Sequence, residues 1–227
     1  MGWVIGVVVA GLLGVVAYWL VVTTEGVFLG QRVVVWLYDR TAKQYDGIKQ
    51  FDEGAERFFV IQPLLLNLTH VPAPRVLDVA TGTGRLPYFL LNEPHFHGRV
   101  VGLDPADKML RLAQQKLAGY RYRLSLVQQT AVPLPFLDNS FDAITCLEAL
   151  EFLPSDKEAL QEMVRVLRPG GVLLVTRRRG WEAKLFFGRY WTKEGFEDYL
   201  RSLGLRGVNT QLWQVDYDQV FAYKPTG

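Results

Sequence analysis

The chain has 227 residues, enough for one domain with a full hydrophobic core. Its formal charge of +2 argues neither for nor against nucleic acid by itself, and no nucleic-acid partner is expected. A single cysteine, Cys146, excludes an intramolecular disulfide and fits a reducing compartment.

The first element is apolar throughout. Trp3 to Val22 carries no charge, and at helical rise it spans about 30 Å, the hydrocarbon thickness of a bilayer. A secretory leader has a shorter apolar core, about 7–15 residues, behind a basic start. Nothing basic precedes this run, and Ala17-Tyr18-Trp19 is a poor cleavage site. The reading is a single-pass transmembrane helix over residues 1–23. Arg32, Arg40 and Lys43 follow it, which puts the rest of the chain in the cytoplasm. Gly2, Gly6, Ala10 and Gly14 share one helix face, where another membrane helix can approach closely as a protein partner. The abundance of small residues in membrane helices accounts for the same stripe equally well.

Residues 24–50 read as a juxtamembrane linker and a pre-domain helix. Val27 to Tyr38 is apolar but broken by Gly30, Gln31 and Arg32, so it lies at the interface or packs on the domain. Tyr38-Asp39 and Tyr45-Asp46 bracket a short polar helix. Phe51 to Leu68 reads as helical with a break at Pro63, and Phe58, Phe59, Ile61, Leu64 and Leu65 read as core. Strand and helix signals then alternate through residues 51–227, the expected catalytic domain. Strands are expected at 75–80, 99–103, 122–127, 141–147, 171–176, 207–215 and 217–223. Helices are expected at 107–117, at 155–167 behind a Ser155/Glu158 capping box, and from Thr192. The fold class is α/β, a doubly wound, mostly parallel Rossmann-like sheet.

The first strand runs into Asp78-Val79-Ala80-Thr81-Gly82-Thr83-Gly84 and then a helix. Its glycines allow close backbone approach, and the helix start offers N–H groups without intrahelical partners. Asp104 ends the second strand at the spacing of a carboxylate that grips ribose hydroxyls. A dinucleotide loop does not fit, because Pro87 occupies the third glycine position and Asp78 would repel a pyrophosphate. An acid there suits a ribose-bearing ligand with a cationic amino-acid end.

In these residues the chain resembles the class I S-adenosylmethionine-dependent methyltransferases, and looks most like their ubiquinone/menaquinone-biosynthesis branch. Val101-Gly102-Leu103-Asp104 with Lys108-Met109-Leu110, the Leu134–Asp142 run, Arg165–Gly171 and Thr192–Phe196 continue the likeness in order. The resemblance implies seven strands, the last antiparallel, and S-adenosylmethionine as cofactor. It places Asp78, Ala80, Thr81, Gly82 and Gly84 toward the methionine end, Asp104 on the ribose, and Pro105 and Met109 near the adenine. It also implies that an aromatic of the pre-domain helix covers the cofactor. Thr130 and Ala131 stand where the family carries an acid for the adenine amino group. Phe152 stands where many relatives have a histidine.

Glu148 and Glu151 follow the fourth strand, as base and orienter or, more simply, as one acid near the cofactor's amino end and one at the surface. Methyl transfer from a sulfonium needs no base unless the acceptor loses a proton, so no catalytic residue is assigned. His95 and His97 lack partners for a metal site, and none is expected. Arg177, Arg178 and Arg179 with the aromatics up to Trp191 read as a lid and interfacial patch for a lipid-soluble acceptor. The expected function is methyl transfer to a small, lipophilic acceptor by a membrane-anchored domain. The alternative is an inactive methyltransferase-like subunit docked in a larger membrane complex.

Overall fold

The computed structural model describes residues 2–49 and 52–226. The boundary expected at residues 50 and 51 lies outside them. Seven strands form one sheet, in the order β3-β2-β1-β4-β5-β7-β6. They are β1 (Arg75–Val79), β2 (Arg99–Asp104), β3 (Leu124–Gln128), β4 (Phe141–Cys146), β5 (Leu167–Arg178), β6 (Arg206–Leu212) and β7 (Tyr217–Tyr223). β1 to β5 are mutually parallel, and β7 runs antiparallel to both β5 and β6. The strand order reverses between β1 and β4, so a crevice opens beyond their carboxyl ends.

The central strands are buried on both faces, which is why they read as nearly continuous apolar runs. One face is covered by α7 (Asp156–Val166) and α8 (Lys193–Ser202), whose Leu160, Met163, Phe196 and Leu200 meet Ile144 and Leu173 in one core. The other is covered by α4 (Gln62–Leu68) and α5 (Arg85–Leu91), with Leu64, Phe89 and Leu90 against Val76 and Leu174. Ser155 and Thr192 cap α7 and α8 through their hydroxyls, as the sequence predicts.

Two local expectations change. Phe58 is 70% exposed, and Phe59 is also exposed. The segment from α3 (Glu53–Glu56) into α4 passes through a π-helical turn, Arg57–Ile61, whose wider turn rotates both rings off the buried face. Ile61 and Leu64 are core as expected. The arginine run also differs from a solvated loop. Arg177 pairs with Asp218 and donates to the Trp191 carbonyl at 2.8 Å, and Arg178 donates to Glu151 and the Tyr217 hydroxyl at 3.2 Å. Arg177 and Arg178 thereby brace β5 to β7 and to the 181–191 segment and drop out of the expected headgroup patch, whereas Arg179, 3.5 Å from Asp218, stays 38% exposed. The aromatic half remains, since Trp181, Phe187 and Tyr190 are exposed.

The N-terminal helix, α1 (Gly2–Tyr18), continues through a π-helical turn to Thr23. Trp3–Thr23 has a mean hydropathy of 2.5 and is not buried, so it is long and apolar enough to cross a membrane. Gly6 and Gly14 have open space beside them. A tight elbow follows. Thr24 is fully buried and returns its hydroxyl to the Trp19 carbonyl at 3.0 Å. Gly26 takes φ +77°, and a side chain there would strike Val33. Beyond the elbow, α2 (Gln31–Lys49) packs across α6 (Asp107–Lys116).

Candidate active site

The turn after β1 is shaped by three residues in left-handed conformation, Ala80, Gly82 and Gly84. The two glycines have different tasks. A Cβ on Gly82 would enter open space, whereas one on Gly84 would lie 2.8 Å from Leu117 Cδ1. Gly82 therefore borders an empty gap, and Gly84 lets the turn close over α6.

Asp104 ends β2 beneath that gap. Its Oδ2 accepts from the Gly82 amide and its Oδ1 from the Ala106 amide, both at 2.9 Å. Asp78 is buried in β1, where its two oxygens accept from Thr145 Oγ1 at 2.6 Å and Thr81 Oγ1 at 2.7 Å. Burial pushes both carboxyls up to about 6, although their hydrogen bonds favour the ionised form. Among the described residues neither makes an ion pair. Each carboxylate has lone pairs to spare for a further donor.

Two gaps adjoin these acids. One, about 60 Å³, is lined by Ala80, Gly82, Asp104, Pro105, Met109 and Glu148 and roofed by Tyr38 and Tyr45. The other, about 40 Å³, is lined by Asp78, Thr81, Gly82, Arg85, Glu148 and Tyr45. Of the expected cofactor residues, Asp78, Ala80, Thr81, Gly82, Asp104, Pro105, Met109 and Glu148 thus come together. Gly84, Thr130 and Ala131 do not line either gap. The Thr130 hydroxyl donates to the Val132 carbonyl at 3.0 Å, and Ala131 is part of the core.

α2 is the roof. Asp39 accepts from the Lys108 amide at the start of α6 at 2.8 Å. Asp46 accepts from Lys116 Nζ and from the Thr83 hydroxyl. Ala42, Ala106 and Met109 bury together under it.

Glu148 adopts φ +53°, an uncommon conformation for a side-chain-bearing residue, with its amide held by Thr176 Oγ1 at 2.6 Å. Its carboxylate accepts from Arg85 at 2.6 Å, and Arg85 also pairs with buried Glu56. Glu151 is not a surface residue, as the simpler sequence reading has it. It is buried and accepts from the Tyr217 hydroxyl and Arg178.

A third cavity of about 580 Å³ lies on the far side of Tyr45 and Glu148. Its walls include Val21, Glu25, Tyr38, Glu56, Phe59, Phe152, Trp213 and Tyr217. Arg85, Glu56, Phe59, Trp213 and Tyr217 were not singled out for the site by the sequence. They arrive from α5, α3, the π turn and the β6–β7 end, far apart in the chain, with no local motif to join them. Among the described residues no group of three or more histidine, cysteine or acidic side chains is placed to hold a metal.

Comparison with known proteins agrees with this architecture. A family profile described as a methyltransferase domain matches residues 77–175. A demethylmenaquinone methyltransferase of Symbiobacterium thermophilum is 34% identical over 143 residues, 60% of this chain and 55% of that protein. The chain spans about half the length of the curated relatives it matches. The structure of a SAM-dependent methyltransferase from Aquifex aeolicus superposes with a TM-score of 0.55 at 21% identity, covering 76% of this chain and 98% of that one. A cyclase, SpnF, shares the fold with a TM-score of 0.59 at 20% identity, covering 73% of this chain and 81% of that one.

S-adenosylmethionine is the cofactor these matches imply, and the residues present fit it. Open space beside Gly82 meets a carboxylate with spare acceptor capacity, and a second buried acid, Asp78, lines the adjoining gap with its oxygens held by Thr145 and Thr81. The matched methyltransferase domain, the seven-strand order and this acid-lined glycine turn together support a class I S-adenosylmethionine-dependent methyltransferase fold for residues 77–175 and the sheet around them.

Proposed function

We propose that the protein transfers a methyl group from S-adenosylmethionine to a small, lipophilic acceptor, from a domain held at a membrane by residues 1–23. A demethylated quinone of the kind named for the curated relatives is the first acceptor to test. The observation that carries this reading is one of adjacency. Tyr45 and Glu148 are walls of both small gaps and of the 580 Å³ cavity, so a donor and an acceptor in these spaces would meet across them. The larger cavity falls within the ordinary range for ligand pockets, about 300–1,000 Å³.

The bound cofactor would supply an electrophilic methyl group on a cationic sulfur. Asp104 would hold the ribose hydroxyls, Asp78 the positively charged amino-acid end, and Pro105 with Met109 the adenine face. Tyr45 and Tyr38 roof the gaps from above, and burial raises both phenols above their ordinary range. Alignment of the two reactants supplies most of the acceleration, about 7–11 kcal/mol in well-oriented reactions. The gaps as they stand are smaller than a nucleoside, so cofactor entry requires α2 to lift from α6.

Titration of the full chain in neutral detergent with S-adenosylhomocysteine tests the cofactor half. Methyl transfer from labelled cofactor to a reduced, short-chain demethylmenaquinone tests the acceptor half. Saturable binding with transfer is the expected result. A folded sample that binds no S-adenosylhomocysteine would sink the proposal and favour a docked, inactive subunit. The closed gaps and the inward-turned Thr130 hydroxyl are what favour that second reading.

A further inference from the structure

The anchor and the domain are not joined by a loose tether. Val27, just past the elbow, is buried with Val34, Phe152 and Phe186 in a small apolar cluster of its own. Trp19, in the last turn of the membrane helix, stacks on Phe28 at 5.0 Å and meets Phe187 at 5.6 Å. The Glu25 carboxylate accepts from the Tyr38 hydroxyl at 2.7 Å. Phe152 in turn packs edge-on against Tyr38 and Phe186. The end of the apolar helix is thereby pinned against the mouth of the 580 Å³ cavity.

Two residues of that end, Val21 and Glu25, line the cavity itself. Val21 belongs to the apolar span, and Glu25 is the first charged residue after it. One wall of the cavity is thus continuous with a surface that faces hydrocarbon. The opposite walls, Phe59, Trp213 and Tyr217, belong to the domain, and Tyr45 with Glu148 closes the inner end. The lining is mixed: Val21, Leu37, Phe59 and Trp213 offer apolar surface, and Glu25, Thr41, Asp52, Glu148 and Arg178 offer polar groups, a combination that suits a molecule with a polar head and a hydrocarbon tail.

We infer that the last turn of the membrane helix is a wall of the acceptor site, and that the acceptor's apolar tail runs past Val21 straight into the bilayer. This rests on the methyltransferase reading for the identity of the acceptor, but the tail channel is a separate physical claim. The occupant is a prenyl-type chain delivered from the leaflet. The helix then does more than hold the domain near its substrate, since the site is incomplete without it.

The test uses the full chain in phosphatidylcholine vesicles with a three-unit prenyl alcohol that carries a diazirine. After illumination, adducts are mapped by mass spectrometry. The expected adducts fall on Leu37, Phe59 or Trp213. Val21→Trp, which fills the channel, should lower them at least fivefold. Val9→Trp, on the exposed part of the same helix, should leave them unchanged. If Val21→Trp disturbs folding, as judged by circular dichroism, Leu37→Trp narrows the same cavity from α2 and carries the same expectation. Adducts confined to residues 3–20, or cavity adducts indifferent to these variants, overturn the inference. S-adenosylhomocysteine titration of the same samples separates the two claims. Cavity labelling without cofactor binding would leave the tail channel standing and remove the methyltransferase reading.

Discussion

Asp104 already uses one lone pair on each oxygen for the Gly82 and Ala106 amides, and a ribose would occupy the others. Asp104→Ala removes a charge-assisted pair of bonds, worth about 1.5–3 kcal/mol each. S-adenosylhomocysteine affinity should fall at least tenfold, measured calorimetrically. The raised carboxyls also set a pH dependence. Empty, Asp78 and Asp104 hold their protons up to about pH 6, whereas the unfolded chain releases them near pH 4. Between about pH 4 and 6 the folded state therefore binds more protons, and stability of the ligand-free protein declines as pH rises through that window. A cationic ligand favours the ionised acids, so its affinity should rise from about pH 5 to pH 7 with proton release. Titrations in buffers of different ionisation enthalpy read that release directly, and a flat profile would contradict it. The paired glycines make a third test at this scale. Gly82→Ala places a methyl group in the empty gap and should weaken ligand binding more than stability. Gly84→Ala meets Leu117 and should lower stability by about 1–3 kcal/mol. The sequence shows Asp78, Gly82 and Asp104 as a group because all three sit at the ends of adjacent strands. It cannot show that Gly84 serves packing, because Leu117 is distant in the chain.

At the scale of elements, α2 roofs the two small gaps beside Asp104 and Asp78. Its fastenings to α6 and the β1 turn are Asp39 and Asp46. Asp39→Ala with Asp46→Ala should speed amide exchange in α2 and hasten release of bound S-adenosylhomocysteine several-fold. A shift of only a few degrees in Tm is expected, since these groups are partly solvated. Unchanged exchange in α2 would show that the apolar contacts alone hold it. The element pattern was largely legible. β1, β4, α7 and α8 fall within a residue or two of their expected bounds, because apolar runs and hydroxyl caps are local signals. β5 begins at Leu167, earlier than expected, because that residue pairs with Phe141 ahead of the Gly170 bend. The π turn at 57–61 was illegible, since one extra residue per turn leaves helical spacing intact on either side. The arginines of β5 misled for a related reason. Their partners, Asp218 and Glu151, come from other elements, and only the sheet brings them together.

Considered as one molecule, the chain places its apolar N-terminal helix and the 580 Å³ cavity in contact, which a linear reading as anchor, linker and domain does not convey. Deleting residues 1–29 removes Val27 from its cluster with Phe152 and Phe186 and uncovers one wall of the cavity. Loss of one buried valine of this kind costs about 1–3 kcal/mol. The truncated chain should unfold several degrees lower than the full chain in the same detergent, by calorimetry or fluorescence. Equal Tm values would mean that the elbow contributes no packing.

The elbow at Thr24 to Gly26 has one more implication. On the proposed membrane-anchored reading, a helix that ends in a joint packed this way sets a fixed stride between lipid and site, and the chain would work as a ruler as well as a leash. On that reading the atom that receives the methyl group would sit a set number of bonds from the greasy end of its molecule. Otherwise similar compounds with the reactive position further along the ring or tail would pass through the same door and stop short of the donor.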